Sequence, residues 1–145
     1  MASEGRLNVS LSLRKLSGST VLLNYTRSAS FTFDVTGTKG PSPGSFSVGI
    51  GGKVVDLQEL GTPGWCWLTN MDSTNYVTVG IWDPGTDVYY PMLELLPGKS
   101  YPVHLYRHIQ EEYTGTGTGT TGPGNFLFMK AVGGTVTVSV EAFDK

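Results

Sequence analysis

Apolar and polar residues alternate along most of this chain, which is the pattern of half-buried β-strands. Near the start, Leu7, Val9, Leu11 and Leu13 alternate with small polar residues, and residues 31–35 repeat the pattern. No stretch keeps apolar residues at helical spacing over three turns. The sequence therefore predicts an all-β protein.

About ten short strands are expected, separated every roughly 8–12 residues by Gly, Pro, Asn and Asp. Besides the two runs above, the predicted strands are Val21–Tyr25, Phe46–Ile50, Lys53–Leu57, Trp65–Thr69, Tyr76–Trp82, Val88–Leu95, Ser100–Tyr106, Asn125–Ala131 and Thr135–Phe143. This spacing is typical of antiparallel sandwiches and barrels. We predict a single antiparallel β-sandwich, jelly-roll-like, that spans residues 1–145.

Turn residues predict two local arrangements of these strands. Between Gly64 and Tyr106, four strand-like runs are separated by Asn70–Thr74, Asp83–Thr86 and Pro97-Gly98, which predicts an antiparallel meander. Gly133-Gly134 lies between the last two predicted strands. Because both glycines tolerate a positive φ, we expect a two-residue hairpin turn there.

Three segments are predicted to lie outside the strands. Gly37–Gly44 and the Gly/Thr-rich tract 113–124 contain no apolar residue that could anchor them in a core, so both are predicted to be long flexible loops. For the second tract, two interpretations stay open: a mobile loop, or an arm that orders on a neighbouring subunit. Residues 1–6 are predicted to form an N-terminal arm.

Composition and charge exclude several kinds of partner. The net charge is −2 and basic residues are scattered along the chain, so no nucleic-acid partner is expected. No apolar run approaches the roughly 18 residues of a membrane helix, and no signal peptide is recognisable, so we expect no membrane partner and synthesis in the cytoplasm. The single cysteine cannot form an intramolecular disulfide, which fits a reducing compartment.

Side chains that could carry chemistry are few, and the pattern favours structural roles for them. His104 falls in a strand-like run, and a strand would separate its ring from that of His108 by roughly 13 Å, too far for one metal ion. Asp83 and Asp87 flank a Pro-Gly turn and offer too few oxygens for calcium, so turn capping is favoured. Cys66 is expected to be a buried, small apolar group. We therefore expect no enzyme activity, no cofactor and no metal.

Tryptophans are the most distinctive side chains. Trp65 and Trp67 share one face of a predicted strand. Filling the core or a subunit contact is the favoured role, because each ring buries a large area. A sugar-stacking face made by these two and Trp82, with Tyr89 and Tyr90 nearby in sequence, is the alternative.

The segment from Trp67 to Leu105 resembles small structural proteins of tailed bacteriophages. Its first part is a strand followed by TNMDSTNYVTVG, and its second part carries YYPMLELLPGKS before another apolar strand. The matching residues are Asn70, Asp72, Asn75, Tyr76, Val77, Gly80, Leu93, Leu95, Pro97, Gly98 and Lys99. The insertion at 114–124 departs from the compact end of that pattern.

This resemblance implies a non-enzymatic virion component, in first place a capsid decoration or auxiliary head protein that binds and stabilises the outer capsid. Its implied partners are the major capsid protein and copies of itself, as a trimer in this class, and its implied location is the virion surface after synthesis in the host bacterial cytoplasm. The residues expected to touch partners are Arg6, Lys39, Pro41, Thr116, Thr118 and Thr120. A head-to-tail connector or tail protein, and a carbohydrate- or receptor-binding module, are the alternatives.

Overall fold

The computed structural model describes residues 5–33, 35, 37, 39–106, 109 and 126–145, which contain ten strands and no helix. The chain divides into two compact units, Met1–Thr36 and Gly37–Lys145. The strands are β1 (Gly5–Ser17), β2 (Thr20–Phe33), β3 (Ser42–Val48), β4 (Lys53–Val54), β5 (Pro63–Asn70), β6 (Tyr76–Asp83), β7 (Val88–Leu95), β8 (Ser100–His104), β9 (Phe126–Val132) and β10 (Val136–Asp144).

The first unit is one long antiparallel hairpin of β1 and β2. Gly18 closes it at a φ of 59°, the left-handed conformation that a tight two-residue turn requires. The sequence predicted separate strands at 21–25 and 31–35, whereas β2 runs unbroken from Thr20 to Phe33 and joins the first to the start of the second. The residues between them include no Gly, Pro, Asn or Asp, so nothing interrupts pairing with β1, which is of similar length.

The second unit is a sandwich of two four-stranded sheets, ordered β3-β10-β5-β8 and β4-β9-β6-β7. Every pair is antiparallel. The pairs β6/β7, β5/β8, β4/β9 and β3/β10 join strands that lie progressively farther apart along the chain, as in one long hairpin that is folded across both sheets. The predicted all-β antiparallel sandwich is confirmed, and this order is compatible with its jelly-roll-like form. The sandwich differs from the prediction in extent, because its strands come from Ser42–Asp144 and residues before 37 form the other unit.

The core of the sandwich is made by alternate residues of facing strands. Along β10, Val136, Val138 and Val140 are fully buried while the residues between them face outward. Leu68 from β5 and Met129 from β9 are also fully buried, so both sheets contribute to one cluster. The strand alternation in the sequence predicts this inward set correctly.

Two predicted connections are wrong. The meander over Gly64–Tyr106 is not formed, because only β6 and β7 pair as neighbours, while β5 and β8 pair with one another in the opposite sheet. Gly133-Gly134 joins β9 to β10, which lie in different sheets, so it is a crossing between sheets and no hairpin turn. Local alternation decides which residues face inward but not which strands pair.

The predicted loops and arm are also revised. Ser42–Gly44, the end of the loop predicted over 37–44, belongs to β3 and pairs with β10. Two X-Pro bonds in this stretch, Gly40-Pro41 and Ser42-Pro43, are cis. Gly5 and Arg6, predicted to lie in an arm, begin β1. The tract 113–124 lies outside the described residues.

Candidate functional site

The hairpin presents a continuous apolar face to the surroundings. Val9, Leu11 and Leu13 lie on one side of β1 at 41%, 49% and 44% exposure. By register, Ala29 lies opposite Val9 and Tyr25 lies opposite Leu13, so β2 extends the same side. We call this side, which contains Leu7, Val9, Leu11, Leu13, Leu23, Tyr25, Ala29 and Phe31, the apolar face of the hairpin.

Along residues 6–14 of β1, the opposite side of the hairpin is polar and internally hydrogen-bonded. Arg6 Nε donates to Ser30 Oγ at 3.4 Å, and Ser30 Oγ donates to Asn8 Oδ1 at 2.7 Å. Further along, the hydroxyls of Ser12 and Thr26 lie 3.2 Å apart. The hairpin is therefore amphipathic across its thickness, with one face suited to water and one suited to burial.

Charge in the hairpin has a single sign. Residues 5–33 contain Arg6, Arg14, Lys15 and Arg27 and no Asp or Glu, although the whole chain carries a net charge of −2. Arg27 lies opposite Leu11, in the middle of the apolar face, and Lys15 lies opposite Leu23, near the turn, so this face carries two positive charges. The negative charge of the chain accordingly comes from outside the hairpin.

An exposed ribbon of this kind is an unusual element. In the described part of the chain, β1 and β2 pair only with one another. A lone two-stranded hairpin is marginally stable in water, and large exposed apolar patches mark interaction sites. The apolar face is therefore the strongest candidate for a docking surface in this chain.

A second surface lies on the outer side of the sheet β3-β10-β5-β8, and we call it the tryptophan face. Trp67 is 42% exposed there, with Glu141 on one side and Pro102 on the other by register. Trp65 packs edge-on against His104, with ring centroids 4.9 Å apart. The favoured core role is wrong for Trp67, whereas subunit contact and sugar stacking stay predictions.

Beside these rings, a row of hydroxyls crosses the same face. Ser45, Ser139, Thr69 and Ser100 are in register on the four strands. The Thr69 and Ser100 hydroxyl oxygens lie 2.9 Å apart. A large ring flanked by hydroxyls and a carboxylate can pack against an apolar surface and hydrogen-bond its polar groups at the same time.

Trp82 belongs to a different surface. It lies on the outer side of the other sheet, with its ring centroid 6.1 Å from that of Phe126 and 5.9 Å from that of Phe128. Its Nε1 donates to Asp87 Oδ1 at 3.2 Å. Tyr89 joins this cluster, its ring centroid 5.0 Å from that of Phe128, and burial raises the pKa of its hydroxyl. The three predicted stacking tryptophans are therefore not brought together.

The aspartates at the strand ends act as turn caps. Asp83 accepts hydrogen bonds from Thr86 Oγ1 at 2.7 Å and from the Gly85 amide at 2.9 Å, which lower its pKa. The amides of Asn75 and Thr74 likewise donate to Asp72 and lower its pKa. Turn capping is thus confirmed for Asp83. Across the part of the chain that the structure describes, no three His, Cys, Asp or Glu side chains could hold one metal ion.

Cys66 points into the core between the two sheets and is 2% exposed. Burial, with a smaller contribution from the charge of Glu141, raises the pKa of its thiol to about 12. The prediction that Cys66 is a buried apolar group is confirmed. His104, the first of the two histidines considered for a metal site, is the last residue of β8, and His108 lies outside the described residues.

The residues predicted to contact partners are divided between the two units and the part of the chain outside the described residues. Lys39 and Pro41 line a recess of about 480 Å³ with Gly40, Ser42, Glu59 and Leu60. Arg6 lies on the polar face of the hairpin, in the other unit. Thr116, Thr118 and Thr120 lie outside the described residues.

The apolar face of the hairpin was missed at the sequence level. Its signal was present: residues 7–13 and 23–31 alternate over their length, and residues 5–33 lack acids altogether. That charge asymmetry could have set the segment apart from the rest of the chain.

Comparisons with protein-family models, with curated proteins and with solved structures found no match to this chain. Within the described residues, no helix is long and apolar enough to cross a membrane. What the protein does has to be inferred from its own surfaces.

Proposed function

We propose that this chain is a non-enzymatic structural protein of a virus particle, and specifically a capsid decoration protein that binds the outer capsid and stabilises it. The resemblance of residues 67–105 to small phage structural proteins suggests the class. One observation carries the proposal: the hairpin has the exposed apolar face of an assembly element, while the sandwich has a buried core of its own.

The energetics of attachment fit this element. The apolar face holds six large apolar side chains that are at least two-fifths exposed: Val9, Leu11, Leu13, Leu23, Tyr25 and Phe31. Burying the exposed half of such a side chain contributes about 1 kcal/mol. Six of them offset part of the roughly 4–15 kcal/mol that association costs.

In this proposal the two units have different roles. The hairpin anchors the chain to neighbouring subunits, which are the major capsid protein and copies of itself. The sandwich, with its core between two sheets, stays folded and presents its outer faces at the virion surface. In this proposal the chain is made in the host bacterial cytoplasm and joins the particle there.

The copy number per particle tests the proposal. Quantitative mass spectrometry of purified particles is expected to give about one copy, or about one third of a copy, per major capsid protein, because a lattice component follows capsid symmetry. A few copies per particle would support the connector or tail alternative. Absence from particles would overturn the virion proposal.

Occupancy of the particle by variants tests the role of the hairpin. Replacing Leu11 and Leu13 with Thr keeps β-propensity but removes apolar area, so occupancy is expected to fall. Replacing Ser10 and Ser12 with Thr, on the polar face, is the matched control and should leave occupancy unchanged. Equal occupancy of both variants would remove the hairpin from the attachment site.

A carbohydrate- or receptor-binding module is the second candidate, and the tryptophan face favours it. Trp67 is exposed beside Glu141 and the hydroxyl row, an arrangement that could stack on a sugar ring and bind its hydroxyls. Titration with a panel of oligosaccharides, followed by tryptophan fluorescence, tests this. Binding that is lost in Trp67→Thr and kept in Trp82→Phe would support the module.

A further inference from the structure

We infer that the apolar face of the hairpin docks on an acidic surface of a different protein, which supplies carboxylates to Arg27 and Lys15. The inference rests on the proposed function, in which the hairpin is the assembly element, and it names the chemistry of the surface that this element binds. Its basis is the charge of the hairpin, since residues 5–33 contain four basic residues and no Asp or Glu in a chain whose net charge is −2.

Two of these four charges lie on the apolar face itself. By register, Leu11–Arg27 is the central cross-strand pair of the face, and Lys15–Leu23 is its pair nearest the turn. Both basic side chains are exposed. A purely apolar partner would bury these two charges without a counter-charge, which is strongly unfavourable. A carboxylate opposite each one keeps the charge in a charge-assisted hydrogen bond.

The register also fixes the spacing that the partner has to match. Arg27 and Lys15 belong to different strands, and their levels are four residues apart along the hairpin, which is about 13 Å at about 3.3 Å per residue. The Leu13–Tyr25 pair lies between them. The expected partner surface therefore has two carboxylates about 13 Å apart, with apolar side chains between them.

The edges of the hairpin favour a protein over a lipid surface. In the part of the chain that the structure describes, β1 and β2 pair only with one another, so backbone N–H and C=O groups line both outer edges. Hydrocarbon offers such groups no partner and offers Arg27 no counter-charge, and both are costly in a membrane. A protein can supply a pairing strand as well as a carboxylate.

The edge strands of the sandwich are built differently. Among them, β3, β7 and β8 contain Pro43, Pro91 and Pro102, which cannot donate to an added strand, and β4 has only two residues. By contrast, β1 and β2 run for 13 and 14 residues without a proline. Within the described residues, the long edges suited to pairing with a partner strand are therefore those of the hairpin.

A second copy of this chain is a poorer match than a different protein. Two hairpins carry charges of the same sign and repel one another. The described residues of the second unit contain eight acids, and six of them already accept hydrogen bonds within that unit. These six are Asp56, Glu59, Asp72, Asp83, Asp87 and Asp144. The charges therefore select a different protein, which in the proposed function is the major capsid protein.

Site-specific photo-crosslinking in the cells that make this protein tests the inference. A photo-reactive phenylalanine analogue is introduced into the full chain at Leu11, on the apolar face, or at Ser12, on the polar face, as the matched position. Mass spectrometry then identifies the crosslinked segment. We expect a product from position 11 and not from position 12, formed with a segment of another protein that contains Asp or Glu.

Charge reversal at two neighbouring residues supplies the matched control. Lys15→Glu and Arg14→Glu change the net charge equally, but Lys15 belongs to the apolar face and Arg14, opposite Asn24, to the polar face. Lys15→Glu and Arg27→Glu should each lower the crosslink yield by about tenfold, because they set like charges against one another. Arg27→Gln, which removes the charge without reversing it, should give a smaller loss, and Arg14→Glu should leave the yield unchanged. Circular dichroism checks that each purified variant keeps its β-structure.

Four results would overturn the inference: a product from position 11 with lipid or with this chain, equal products or none from the two positions, a partner segment without carboxylates, or equal losses in Lys15→Glu and Arg14→Glu. These outcomes are separable from the proposed function. An acidic partner that is no virion protein keeps the docking and removes the virion role. Capture of the major capsid protein through a segment without carboxylates keeps the virion role and removes the acidic docking.

Discussion

The hairpin and the sandwich are built from the same kind of strand, yet they bury their apolar residues to opposite degrees. Val138 and Leu68 in the sandwich are fully buried, whereas Val9 and Leu11 in the hairpin are 41% and 49% exposed. The difference is the second sheet: each sheet of the sandwich has one packed against it, and the apolar face of the hairpin stays open to solvent. An alternating strand thus shows that one face is apolar, but not what covers it.

The largest expected effect is the difference in lost stability between a core variant of the sandwich and a surface variant of the hairpin. Leu68→Ala opens a cavity in the sandwich core and should lower the free energy of unfolding by about 2–5 kcal/mol. Leu11→Ala, at a half-exposed hairpin position, should lower it by less than about 1 kcal/mol in the monomer. Chemical denaturation followed by far-ultraviolet circular dichroism, which reports the strands of both units, measures both. Equal losses would contradict the distinction between a closed core and an open face.

A buried amide gives the next largest effect. Asn70 Nδ2 donates to the carbonyls of Asn75 and Leu95 at 2.9 and 3.0 Å, in the interior of the sandwich. Asn70→Ala leaves both acceptors without this donor and should cost about 1–3 kcal/mol of stability. The matched control is Asn8→Ala, which removes an exposed hairpin acceptor and should cost less than about 1 kcal/mol by the same denaturation assay. An equal loss of stability in Asn8→Ala would contradict the distinction between a buried polar side chain of the sandwich and an exposed one of the hairpin.

Acid sensitivity should be confined to the sandwich, since residues 5–33 contain no carboxylate. Amides of Asn75 and Thr74 lower the pKa of Asp72 from its ordinary value of 3.8 in the folded state. A carboxyl group whose pKa is lower in the folded state stabilises the fold at pH values above its unfolded pKa. This stabilisation is lost as the pH falls through the folded pKa.

The free energy of unfolding, measured at a series of pH values, is therefore expected to decline below about pH 4. Asp72→Asn should flatten part of that decline, and Asp83→Asn should do the same, because Thr86 and Gly85 lower the pKa of Asp83. An unchanged acid profile in both variants would argue against these caps.

The smallest effect is expected on the outer side of the sandwich, where exposed side chains, like those of the hairpin, should contribute little to stability. Trp67→Thr at a 42% exposed site should change stability by about 0.5 kcal/mol or less. Iodide quenching of the remaining fluorescence should fall, since Trp82 is packed among Phe126 and Phe128. A large loss of stability would mean that Trp67 supports the sheet.

Much of the fold follows from local chemistry. The β7 boundaries, Val88–Leu95, match the predicted run, and Asp83 caps its turn as expected. Predictions at the candidate surfaces did less well. Trp65 and Trp67 were predicted to share one face of their strand. That face is the outer one, because Cys66 and Leu68 on the other side of β5 fill the core.

By itself, the sequence determined that this protein is all-β, where most strands lie and which residues alternate, because side chains two apart share a face whatever the strand pairs with. Only the tertiary structure decided that β5 pairs with β8 and β10, that Gly133 crosses between sheets, and that residues 5–33 form a hairpin with an open apolar face. Strand pairing joins residues far apart along the chain, and its choice depends on the total area that the whole arrangement buries.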